Sequence, residues 1–234
     1  MKKKYARASE WKHADIRILF ASFLLLLLFA MGETVGYTRS EPIFRMLLVL
    51  CICALFYLGG LLYHKRTGDT ELMRVLFLLF FLLYLYLLLS FTLLDPNMGR
   101  GNDSVYDSVG SKRTAYIENF VNLVPFDSIA LYVRGYLNGY VGLYYTVINL
   151  LGNTCVFMPL ALFLPLFFEK QRKWYVFFAT LLSSVLLIEL LQFAFMIGSC
   201  DVDDVILNAG GASLAYLILR LPPLQKLIRI LTKQ

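Results

Sequence analysis

The sequence predicts an all-α integral membrane protein, a polytopic transmembrane helical bundle of about six spans. Three observations carry this. Of its 234 residues 59% are hydrophobic and only 16% are charged, with a mean hydropathy of +0.67, which is a membrane composition rather than that of a soluble domain. Six mostly apolar stretches reach the roughly 20 residues that cross a hydrocarbon core. They are residues 17–38, 43–63, 72–94, 144–168, 174–198 and 203–221. Finally, the basic residues concentrate in alternate connections between these stretches.

The first stretch is too long, and too polar at its end, for a cleaved signal peptide, so it counts as a helix. Before it stand Lys2, Lys3, Lys4, Arg7, Lys12 and Arg17. Lys65, Arg66 and Arg74 lie between the second and third spans. Lys170, Arg172 and Lys173 lie between the fourth and fifth, and Arg220, Lys226, Arg229 and Lys233 close the chain. These segments hold most of the 22 Lys and Arg. The positive-inside rule then places both termini in the cytoplasm, with an even number of spans. The net charge of +6 is topological, which excludes nucleic acid as a partner and leaves membrane lipids. Asp95, Asp103, Asp107, Glu118, Asp127, Asp201, Asp203 and Asp204 all fall in the segments expected outside.

Residues 1–70 read as an N-terminal two-helix hairpin, 71–221 as the transmembrane core and 222–234 as a basic cytoplasmic tail. Cys51 and Cys53 fall in the second span and Cys155 in the fourth. Only Cys200 is expected outside, so no structural disulfide is implied.

The longest connection, about residues 95–143, divides in two. DPNMGRGNDSVYDSVGSKRT reads as exposed loop. The following AYIENFVNLVPFDSIALYVRGYLNGYVGLYY is Tyr-rich, and Ile129, Val133, Tyr136 and Tyr140 recur at helical spacing. It predicts a short interfacial helix before the fourth span. Pro159 and Pro165 predict a kink in that span.

Polar residues then interrupt the last three spans. Glu189, about 14 Å inside the fifth by helical rise, costs about 2.5–3.5 kcal/mol to insert unless it is paired or protonated. Gln192 lies three residues on. Asn149 and Asn153 share one face of the fourth span, and Asp204 and Asn208 one face of the sixth. Depth alone predicts that Glu189, Gln192, Asn149, Asn153 and Asn208 converge, capped by Asp201, Asp203 and Asp204. Structural roles stand beside this reading. Asp203 or Asp204 serves to cap the sixth helix, Asn and Gln bond helices together, and Gly210, Gly211, Ala212 and Ser213 permit close packing.

No motif assigns catalysis or a cofactor. There is no H-E-x-x-H, G-x-S-x-G or Gly-rich phosphate loop. His13 and His64 are both expected inside, away from the acids. A Ca²⁺ or Mg²⁺ site on Asp201, Asp203 and Asp204 stays open as an alternative.

Four segments in this order, NLVPFDSI (122–129), NLLGNTCVFMPLALFLPLF (149–167), ELLQF (189–193) and DVDDVILNAGGASLAY (201–216), resemble the VanZ-like membrane proteins. The resemblance spans roughly residues 75–220, and the first two helices lie outside it. By position it carries over Asn122, Pro125, Phe126, Asn153, Pro159, Glu189, Gln192, Asp203, Asp204 and Asn208. The family often has an Arg just before its aspartates, where this chain has Ser199 and Cys200. A role for that Arg against an acid or phosphate is therefore not implied here. The resemblance implies low-level resistance to teicoplanin, an antibiotic with a fatty-acyl tail, and little to vancomycin. Binding of a lipoglycopeptide or lipid-linked cell-wall precursor at the outer leaflet accounts for that selectivity, since each buried CH₂ adds about 0.8 kcal/mol. An enzyme acting on a lipid-linked envelope substrate, a scaffold for another membrane protein and a transporter are the competing classes.

Overall fold

A computed structural model describes residues 14–34, 42–68, 71–94 and 112–232. Of the exposed loop expected over 95–114, residues 95–111 lie outside the described residues and 112–114 are helical instead. The basic N-terminus before residue 14, the connection over 35–41 and Lys233 also lie outside the described residues. What is described is α-helical apart from two short strands and the turns.

By packing, the chain forms two compact units, Met1–Leu82 with Ile228–Gln234, and Leu83–Leu227. In the first unit, α1 (Ala14–Thr34) and α2 (Pro42–Thr67) lie over the first two expected spans. They pack closely because Gly59 offers no side chain; a Cβ there would meet Leu19 Cγ at 2.9 Å. Asp15, buried at the start of α1, accepts from Arg66 Nε at 2.7 Å. Both unit boundaries fall within helices: α3 (Glu71–Leu89) continues through a π turn, Ser90–Leu94, and an amphipathic α10 (Pro222–Thr232) follows the last span.

The second unit contains the polar residues of the last three expected spans. α4 (Lys112–Phe120) leads into β1 (Val121–Asn122), and α5 (Asp127–Leu137) follows one turn later. The fourth expected span is two helices, α6 (Leu143–Val156) and α7 (Leu160–Phe167). Pro159 has no N–H and breaks the ladder between them. Leu160 N turns instead to Phe157 O at 3.1 Å. Val156 O, freed by the break, accepts from Tyr84 Oη on α3 at 2.9 Å, the substitution by a neighbouring helix that an apolar setting requires. α8 (Trp174–Phe195), β2 (Cys200–Asp201) and α9 (Val202–Leu219) complete the unit.

Among the described residues, four helical segments are long and apolar enough to cross a membrane: Glu71–Leu93, Leu143–Phe167, Trp174–Phe195 and Val202–Leu219. α9 is the most enclosed. It lies against α6 so tightly that a Cβ on Gly211 would stand 1.9 Å from Thr154 O. At its far end Tyr216 stacks on Phe177 at 4.3 Å and donates to Arg172 O at 2.7 Å.

Candidate functional site

The site starts from a reversal. α8 ends with Met196 in the left-handed region (φ 53), and Gly198 follows at φ 65. The chain therefore turns back, and Asp201 N donates to Glu189 Oε2 at 3.2 Å. Asp201 consequently stands beside the last turns of α8 rather than beyond its end. There β2 pairs in parallel with β1, Val121 opposite Cys200 and Asn122 opposite Asp201. This two-residue ladder ties the segment before α5 to the start of α9.

The three aspartates do different work. α9 begins at Val202, which makes Asp201 the N-cap; its Oδ1 accepts from Asp203 N at 2.8 Å. The cap is thus neither Asp203 nor Asp204, the two residues that the sequence offers for it, because the helix starts before them. Asp201 also accepts from Ser128 Oγ and, at 3.3 Å, from Asn122 Nδ2. Asp203, 1% exposed, reaches out of its own helix. Its two oxygens accept from Phe126 N at 2.5 Å and Ile129 N at 3.0 Å, so it caps α5, which has no cap of its own. Asp204 accepts from Asn153 Nδ2 through Oδ1. Among the described residues its other oxygen takes no hydrogen bond.

These contacts enclose a cavity of about 210 Å³. Asn122, Asn149, Asn153, Asp201, Asp203 and Asp204 line it, together with Ser128 and Tyr132 from α5, and among the described residues no basic side chain joins them. Burial pushes the Tyr132 phenol above its ordinary range, and the carboxylates of Asp204 and Asp201 add to that. Burial likewise raises the Cys200 thiol, with the acids of Glu189, Asp201 and Asp204 adding to it.

Of the residues that depth groups together, Glu189 is 7% exposed and stands behind Asp201, not in the wall. Gln192 faces elsewhere: its Nε2 donates to Thr92 O at 3.1 Å, on the π turn that ends α3. Asn208 folds back on its own helix, donating to Asp204 O at 2.7 Å. Asn149 lines the cavity with its Nδ2 on Tyr145 O at 2.8 Å. Ser128 and Tyr132 also belong to the wall; the sequence places them in the NLVPFDSI and Tyr-rich segments without marking either as a site residue. Among the described residues no group of three or more His, Cys, Asp and Glu is placed to hold a metal ion.

A family model described as VanZ/LLP1 matches residues 81–224, more than half of the chain. No curated protein and no solved structure matches.

Proposed function

We propose a function from one premise: the chain belongs to the VanZ/LLP1 family. It is a membrane protein with several spanning helices. In our reading it has six spans, α1 and α2 supplying the first two, with both termini in the cytoplasm and the cavity toward the outer leaflet. There it gives low-level resistance to teicoplanin by binding or excluding the lipidated antibiotic.

The cavity is the observation that supports this best. It is a polar space recessed among apolar helices, with half of its wall supplied by the segment 119–132. Its volume of about 210 Å³ is below the range of pockets that enclose a whole drug-sized ligand. It holds a sugar-sized group, so the remainder of an antibiotic would stay outside with its tail in lipid. The wall offers carboxylate and amide oxygens and, among the described residues, no cation, which suits hydroxyl or amine donors.

The test is a pair of inhibitory concentrations, teicoplanin and vancomycin, in a susceptible Gram-positive host expressing the chain. A several-fold rise for teicoplanin alone is expected, lost in Asp204→Asn at equal membrane abundance. A rise in neither drug would overturn the resistance role. It would direct attention to the second reading, an enzyme or accessory protein for a lipid-linked envelope substrate. That reading has one observation in its favour, the Asp204 oxygen that takes no hydrogen bond among the described residues, in a cavity wall that Tyr132 shares.

A further inference from the structure

The turn between β1 and α5 is apolar and bare. Leu123 is 72% exposed, Val124 62% and Phe126 62%, and Pro125 between them is exposed too. Four consecutive exposed apolar residues are a liability in water. Yet this turn is built rather than loose. Val124 N donates to Asn122 Oδ1 at 3.0 Å and Asp127 N to Val124 O at 3.3 Å. Phe126 N and Ile129 N go to Asp203, and Pro125 has no N–H to satisfy. Phe126 takes φ 66, a strained conformation for a bulky residue, and the charge-assisted bonds from Asp203 hold it there.

Two features of this arrangement point to lipid. The first is depth. Phe126 is bonded to the second residue of a spanning helix, and that helix starts beside the last turns of α8, where Glu189 meets Asp201. The turn therefore stands level with the first turn of that helix. The second is the accounting of backbone donors. Irregular backbone survives at membrane depth only when its polar groups are paired within the protein, and the N–H groups of Val124, Phe126, Asp127 and Ile129 all are. No charged residue lies between Glu118 and Asp127, and Tyr136, Tyr140, Tyr144 and Tyr145 follow, as interfacial aromatics do.

We propose that the Leu123–Phe126 turn is a lipid-inserting wedge whose occupant is the acyl region of the leaflet. The Asp203 carboxylate and the Asn122 side chain are its builders. The wedge brings acyl chains beside the wall that Asn122 and Ser128 give the cavity. It holds for any ligand of that cavity, so it stands or falls apart from the resistance reading.

The experiment is collision accessibility of a spin label on the full chain in lipid nanodiscs, in a background without the four native cysteines. Labels go on Val124→Cys and, should that variant misfold, on Leu123→Cys. Leu187→Cys, exposed midway along α8, gives the lipid reference and Asn138→Cys the polar one. Oxygen access above that of an aqueous nickel chelate, as at Leu187, is expected. Higher nickel access, as at Asn138, would overturn the proposal. So would protection from both, which would mean that protein, either another copy or another part of this chain, covers the turn.

Discussion

Asp201, Asp203 and Asp204 are nearly adjacent in sequence and have separate jobs. Asp201 starts its own helix, Asp203 starts a helix some 74 residues upstream, and Asp204 faces Asn153. Their substitutions should therefore differ. Asp203→Ala leaves Phe126 N and Ile129 N, both in partly buried hydrogen bonds, without an acceptor, and each orphaned donor costs about 1–3 kcal/mol. A loss of about 2–4 kcal/mol is expected, read as a lower unfolding midpoint in detergent, and Asp203→Asn should lose less because one oxygen remains. Asp204→Asn removes no backbone partner and should cost under about 1 kcal/mol. Equal losses for Asp203→Ala and Asp204→Asn would contradict this division. The sequence shows that acids cluster before the last span. It does not show which backbone amides Asp203 meets, since those contacts span 74 and 77 residues and rest on a two-residue strand pair. The same limit explains Gln192. Its spacing from Glu189 suggests a shared face, but the three-residue step leaves a rotation large enough to send it to Thr92.

The elements themselves were largely legible. An apolar run of about 20 residues has few alternatives to a helix, and α3, the α6–α7 pair, α8 and α9 fall on the third to sixth expected stretches within a few residues. The proline break was legible for the same local reason, whereas Tyr84 as partner of the freed carbonyl was not, because it comes from another helix. The small residues of α9 divide in a way that sequence hides. Gly211 faces α6, where an added Cβ would meet the backbone of Thr154; Gly210 has nothing within 4 Å. Backbone cannot swing aside as a flexible side chain does, so Gly211→Ala must push α9 away from α6 and should cost about 1–3 kcal/mol or more. Gly210→Ala should be neutral or raise stability by up to about 1 kcal/mol through helix propensity. Thermal unfolding of both in one detergent decides it; similar effects would mean that α9 is rotated relative to this description.

At the scale of the whole molecule the remaining question is direction, because geometry is blind to which side of the membrane is the cytoplasm. The α6–α7 segment separates two groups of opposite character. Beyond α7 stand Lys170, Arg172 and Lys173; before α6 lie the Tyr-rich segment and, through β1, the acidic cavity. Basic residues are retained on the cytoplasmic side during insertion, so the proposed reading puts the cavity outside, the side from which an antibiotic or a lipid-linked wall precursor approaches. Asn138, exposed between α5 and α6, and Lys170, exposed after α7, report on the two sides. With the native cysteines removed, Asn138→Cys should react with a membrane-impermeant maleimide in intact cells, and Lys170→Cys only after permeabilisation. The two positions flank one span and so must answer oppositely. The reverse pattern would put the cavity in the cytoplasm, where an antibiotic confined to the outer leaflet never meets it, and the resistance reading would fail whatever the cavity binds. Labelling of both in intact cells would remove α6–α7 as a span and with it the even count that places the termini together.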